Sequence, residues 1–166
     1  MAAVLSVAAV ALMPWPSPQP VTPWPPEPPG LYLTVYDWSL GGLNCDGDCS
    51  TTALTMTGPE LYGWTAACPS AWLGRRTTTV VTIWGVEWWC IDAFGSPANR
   101  VMTEIDGRRV YRIDLAFRPA AEHPWNQEYV PRADWSREWR PMAEFEALRV
   151  QRAAALAAAR TQAGDG

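Results

Sequence analysis

Lysine is absent from the 166 residues, so all 13 basic side chains are arginine; against 17 acidic residues the net charge is −4. Neutralising a phosphate backbone takes a basic face. The only adjacent cations, Arg75-Arg76 and Arg108-Arg109, suit solvated turns. Nucleic acid is therefore not an expected partner. Histidine is nearly absent too: His123 is the single imidazole, and it lies in a proline-rich segment far from every cysteine. A thiol nucleophile activated by histidine is not expected on that arrangement. Long apolar runs are missing as well. The N-terminal stretch "AAVLSVAAVALM" is 12 residues long, too short to span a bilayer as a helix. It has the look of an export-signal core, with Ala9-Val10-Ala11 as a small-x-small site, although no basic residue precedes it. The expected location is outside the cytoplasm (periplasm, cell envelope or extracellular space) or in a virion.

Four cysteines are present, Cys45, Cys49, Cys68 and Cys90, but no tight Cys-x-x-Cys pair. A four-thiolate zinc site normally needs such pairs, so zinc is not expected. An even count in a small exported domain implies disulfides, and four cysteines allow three connectivities. "NCDGDCS" offers oxygens at Asn44, Asp46, Asp48 and Ser50, yet Thr55 stands where a calcium loop would need a bidentate glutamate. It reads as an acidic turn, and neither a metal nor a cofactor is expected.

What the chain has in excess is 16 prolines and 11 tryptophans. "PWPSPQPVTPWPPEPPG" favours polyproline II, so residues 1–30 read as a signal-like apolar segment followed by a stiff arm. Tryptophan either packs a core or stacks its flat face on the apolar side of a sugar ring, and composition leaves both open. Over residues 31–118, "LYLTVYDW", "TTALTMTG", "TTTVVTIWG", "VEWWCIDAFG" and "RRVYRIDLAF" read as short strands between turn residues. About six strands without a helical period imply an all-β sandwich or a small barrel. Residues 119–166 read as an irregular extension followed by a helix from Met142 to about Arg160, with Pro141 at its start and a high alanine content. The arm and this helix are the expected contacts for a protein partner.

Taken in order, "LTVYDW", "TALTMTG", "GWTAACPSAWLGRRTTTVVTIWG" and "WWCIDAFG … YRIDLAF" resemble the 3D domain. This is a double-psi β-barrel family found in MltA-type lytic transglycosylases and akin to expansins and family 45 endoglucanases. Thr34 and Tyr36 match its first element, and Thr57-Gly58, or nearby Thr55, its second. Ala67-Cys68-Pro69 falls at V-D-P and Trp72-Leu73-Gly74 at P-L-G. Ile91 to Gly95 stands at D-x-G-G, and Arg112 to Phe117 at R-I-D-x-x-F. The resemblance covers about residues 31–118 and implies a mainly β chain: a six-stranded double-psi β-barrel with a proline-rich N-terminal arm and a C-terminal α-helix. It also departs from the family. Cys68 replaces the first of three aspartates, Phe94 replaces a glycine, and the segment from Gly95 to Arg112 is longer than usual and lacks a lysine.

The resemblance makes Asp92 the catalytic acid. Ringed by Trp88, Trp89 and Phe94, its carboxyl would be desolvated and its pKa raised, fitting it to protonate a glycosidic oxygen. Asp114 is expected to face inward and hold the cleft's shape, while Thr34, Tyr36, Trp38 and Trp89 line a glycan groove. Hydrolysis normally uses two carboxylates roughly 5–9.5 Å apart. The nearest alternative, Asp37, falls on the opposite face if β alternation continues through it. A lytic transglycosylase needs only one, because the muramic acid's own 6-hydroxyl attacks. On the same alignment Cys68 and Cys90 are expected to pair, since Cys90 lies two residues before Asp92 and so on its face, leaving Cys45 with Cys49. The expected function is thus a lytic transglycosylase-like enzyme acting on peptidoglycan or another polysaccharide. The alternatives are a non-catalytic, expansin-like carbohydrate-binding module and a structural virion or envelope protein using the barrel as a scaffold.

Overall fold

The computed structural model describes residues 30–37, 56, 58–93, 102–118 and 124–164. The apolar segment and nearly all of the arm lie outside these residues, as do Trp38, Cys45, Cys49, Phe94, Gly95 and His123.

Eight strands and one helix make up the described part: β1 (Gly30–Tyr36), β2 (Thr65–Cys68), β3 (Thr77–Ile83), β4 (Val86–Ala93), β5 (Thr103–Ile105), β6 (Arg108–Ala116), β7 (Glu128–Pro131), β8 (Trp135–Pro141) and α1 (Met142–Gly164). They form one sheet in the order β7-β1-β6-β2-β4-β3-β8, with β5 paired to β6. The chain is mainly β, as expected, but the strand count is eight, not six. No pairing joins β7 to β8 among the described residues, so the sheet is a curled half-barrel with two edges rather than a demonstrated closed barrel.

The extra strands escaped the sequence reading for separate reasons. In β2, "TAAC" is four small buried residues with no alternation to read. In β8, "WSREWRP" has a period of two, but its charges mask it: Trp135, Arg137 and Trp139 oppose Ile83, Val81 and Thr79 on β3. Charged edge strands resist pairing with other chains, which explains this composition. The expected strand "TTALTMTG" falls mostly outside the described residues, and Met56 and Gly58 belong to no strand.

Two apolar clusters cover the two faces of the sheet. One contains Leu31, Leu33, Ala66, Cys68, Val81, Trp88, Cys90, Ile113 and Leu115. The other contains Tyr36, Leu61, Trp64, Ala67, Val80, Trp89, Ile91, Ala116 and Phe145. On β1 and β6 the split follows strand alternation, odd residues to the first face and even residues to the second. The pairings between strands are mixed. β1 runs parallel to β6 and β2 parallel to β4, while β2 is antiparallel to β6.

Helix α1 closes the second face over its first two turns only. It starts directly after Pro141, and the Met142 N–H donates to the carbonyl of Arg76 (2.9 Å). Phe145 is fully buried and stacks on Trp64 with centroids 4.9 Å apart. Arg149 pairs with Glu60 at 3.1 Å, and Arg152 sits over the Trp64 ring. From Val150 to Ala163 every residue is exposed. Phe145 is therefore the anchor that commits the helix to the sheet.

Candidate functional site

The site is a row of residues crossing four strands. Thr34 on β1 is opposite Asp114 on β6, Asp114 is opposite Ala67 on β2, and Ala67 is opposite Asp92 on β4. What brings Asp92 into the row is a bulge. Ala66 pairs with Cys90, but the next residue, Ala67, pairs with Asp92, so Ile91 is an extra residue in β4. An extra residue reverses which face the following side chains occupy. Cys90 accordingly stays in the first core, while Asp92 turns to the face of Tyr36 and accepts its hydroxyl at 3.3 Å.

This corrects one inference drawn from alternation, that Cys90 and Asp92 share a face. The disulfide reached through it nevertheless forms: Cys68 and Cys90 are bonded, with Cα atoms 5.6 Å apart, both within the first core. The bridge lies behind the sheet from the Asp92 side chain, not under it.

Around Asp92 the bonding is explicit. One carboxylate oxygen accepts the Tyr36 hydroxyl, and the other accepts the Ala93 N–H at 2.9 Å. Asp92 is half-buried, so solvent reaches it. Asp114 is buried more deeply, at 8 % exposure, and accepts two bonds from the Arg112 guanidinium at 3.1 and 3.4 Å. The same guanidinium donates to the Thr34 hydroxyl at 3.1 Å. Desolvation raises the Asp114 pKa to about 6; Arg112 opposes the rise and the charge on Asp92 adds to it. Tyr36, also buried, has its pKa pushed well above the ordinary tyrosine value, first by desolvation and then by Asp92 and Asp114. It therefore remains a hydroxyl donor throughout the neutral range.

A second aspartate–tyrosine pair lies at the same end of β1. Asp37 is buried at 2 % exposure and accepts the Tyr62 hydroxyl at 2.5 Å, with Arg118 3.8 Å away. Tyr62 is close enough to Tyr36 to raise its pKa. Because β1 ends at Tyr36, strand alternation does not govern Asp37. Tyr62, Arg112 and Asp37 had not been read as parts of this site. The signal for Arg112 was present, since it shares a strand face with Asp114 two residues on. Tyr62 comes from a turn after the 3₁₀ segment Pro59–Leu61, and nothing local points it at Asp37.

Of the residues expected to form the site, Thr34, Tyr36, Asp92 and Asp114 are brought together. Trp89 is placed differently: it is 1 % exposed, with its ring against both Trp64 and Phe145 beneath α1. Trp88 is buried on the other face against Phe117 and Trp125. Trp88 and Trp89 thus pack in the two cores, while Phe94 lies outside the described residues; the carboxylate's neighbours among the described residues include Tyr36, Asp114 and Ala67. No group of three or more histidine, cysteine, aspartate or glutamate side chains suited to a metal occurs among the described residues. No helix among them is long and apolar enough to cross a membrane.

Comparison of the chain with protein-family models, with curated proteins and with solved structures returned no match in any of the three.

Proposed function

We propose that the chain is a peptidoglycan-active enzyme of the lytic transglycosylase type, on a double-psi β-barrel, with Asp92 as its one acid and base. The observation that carries this reading is the Tyr36–Asp92 pair: a solvent-accessible carboxylate held by a buried tyrosine, in one row with Asp114 and Thr34. Asp92 protonates the glycosidic oxygen as the bond breaks. The same carboxylate then removes the proton from the sugar's 6-hydroxyl as that oxygen closes on the anomeric carbon, which gives a 1,6-anhydro end. Tyr36 fixes the orientation of Asp92, while Thr34, Arg112 and Asp114 supply polar contacts for the glycan. The Cys68–Cys90 bond supports export, because disulfides persist in oxidising compartments.

One observation favours the reading of a non-catalytic carbohydrate-binding module. Cys68, which stands where the resembled family has an aspartate, is held in the disulfide within the first core, so the row has one carboxylate fewer than that family's. Digestion of purified sacculi separates the two. The enzyme reading requires soluble 1,6-anhydro fragments from the wild type and almost none from Asp92→Asn. Sacculus binding without soluble fragments selects the binding module, and reducing-end products would mean a hydrolase with a further carboxylate.

A further inference from the structure

The described part of the sheet contains two hairpins of the same geometry whose turns are filled differently. Between β5 and β6 the two turn residues are Asp106 and Gly107, with φ of 50° and 73°. Between β3 and β4 they are Trp84 and Gly85, with φ of 48° and 81°. A two-residue turn with both φ positive favours Asn or Asp followed by Gly, and the first hairpin follows that rule. A tryptophan in the left-handed region is unfavourable for its backbone. Here it is also 41 % exposed, so burial does not offset the strain.

The Trp84 side chain has a defined neighbour. Its ring makes an edge contact with the half-buried Trp125, centroids 5.4 Å apart, and Trp125 in turn packs on buried Trp88. The turn is pinned as well, since the Trp84 N–H donates to the carbonyl of Asp134 at 3.0 Å. Next to Trp125 are two exposed amide side chains, Asn126 and Gln127. Asn126 accepts the Val35 N–H through its Oδ1, and Gln127 is the third non-glycine residue with positive φ among the described residues, at 65°. Backbone strain concentrated at an exposed, rigidly backed aromatic is a mark of function rather than packing.

We propose that Trp84 and Trp125, flanked by Asn126 and Gln127, form a saccharide-binding platform separate from the Asp92 row. An indole face takes the apolar face of a pyranose ring, and neighbouring amides both donate to and accept from its hydroxyl and acetamido groups. The occupant is a β-linked hexose or N-acetylhexosamine chain. That choice of ligand rests on the glycan reading above, whereas the platform rests on the turn geometry. It would anchor the polymer at the β3–β4 hairpin while the row around Asp92, at the far end of β4, acts elsewhere on it.

The test is calorimetric titration of the full chain with an N-acetylglucosamine hexamer, together with Trp84→Asn and Trp84→Tyr. Asparagine suits the turn's backbone, so Trp84→Asn should fold and melt no lower than wild type while binding at least about tenfold more weakly. Trp84→Tyr keeps an aromatic face and should bind within a few-fold of wild type. Asp106→Asn, in the matching β5–β6 turn, should bind the hexamer unchanged. Equal binding by wild type and Trp84→Asn, or no binding by wild type, overturns the platform. If sacculi are cut in an Asp92-dependent way but hexamer binding ignores Trp84, the platform fails and the catalytic reading stands. Trp84-dependent binding with no fragments released from sacculi supports the platform and removes the catalytic reading.

Discussion

Replacing Asp114 by asparagine should make the fold less sensitive to alkali between pH 4 and pH 7. In the folded chain the carboxyl titrates at about 6 instead of 3.8, because burial disfavours its charge more than Arg112 favours it. Between those values the folded protein keeps a proton that the unfolded chain has released. Stability is therefore fully present below pH 4 and is lost as pH rises through about 6. The change from 3.8 to about 6 corresponds to about 3 kcal/mol. Asparagine has nearly the same shape and does not ionise, although it gives up part of the charge-assisted bonding from Arg112. The difference in unfolding free energy, variant minus wild type, should accordingly grow by about 2–3 kcal/mol from pH 4 to pH 7. Urea titrations at four pH values, followed by tryptophan fluorescence with the disulfide intact, would measure it. Carboxylates that do not interact with Asp114 cancel in the difference, whereas Asp92 is coupled to it and contributes a smaller residual. Parallel stability profiles across that range would refute the burial argument for Asp114.

Three further outcomes follow from the same geometry. Asp92→Asn removes a negative charge that raises the Asp114 pKa, so the Asp114 titration should move to lower pH, read from carboxyl NMR shifts; an unchanged midpoint would mean the two groups are not neighbours. Losing the Cys68–Cys90 bond, which closes a loop with a sequence separation of 22, should cost roughly 3 kcal/mol, measured by denaturation of the Cys68→Ala/Cys90→Ala double variant. Phe145→Ala empties a fully buried site against Trp64 and Trp89 and should destabilise by about 3–5 kcal/mol. Added exposure of the two indoles would appear as red-shifted tryptophan emission, and an unshifted spectrum would argue against α1 covering that face.

Local patterns in the sequence determined the main elements. "LYLTVY", "TTTVVTI", "VEWWCIDA" and "RRVYRIDLA" alternate or concentrate β-branched and aromatic residues, and each is a strand. "PMAEFEAL" opens the helix for reasons internal to the segment. The pairing of Cys68 with Cys90 was reached through the family resemblance, although the step that put Cys90 and Asp92 on one face was wrong. Tertiary structure decided the rest, because it depends on how strands register against one another. The face that Asp92 occupies is fixed by the mismatch between β2 and β4 at Ile91, which neither strand reveals alone. Trp89 went to the core because α1, more than fifty residues on, brings Phe145 against it. The sheet's two outer strands come from a stretch whose prolines and charges hide their period until β1 and β3 offer free edges. Alternation along a strand is set by the backbone, but which side is the core, and where an extra residue reverses it, is set only by the neighbouring strand.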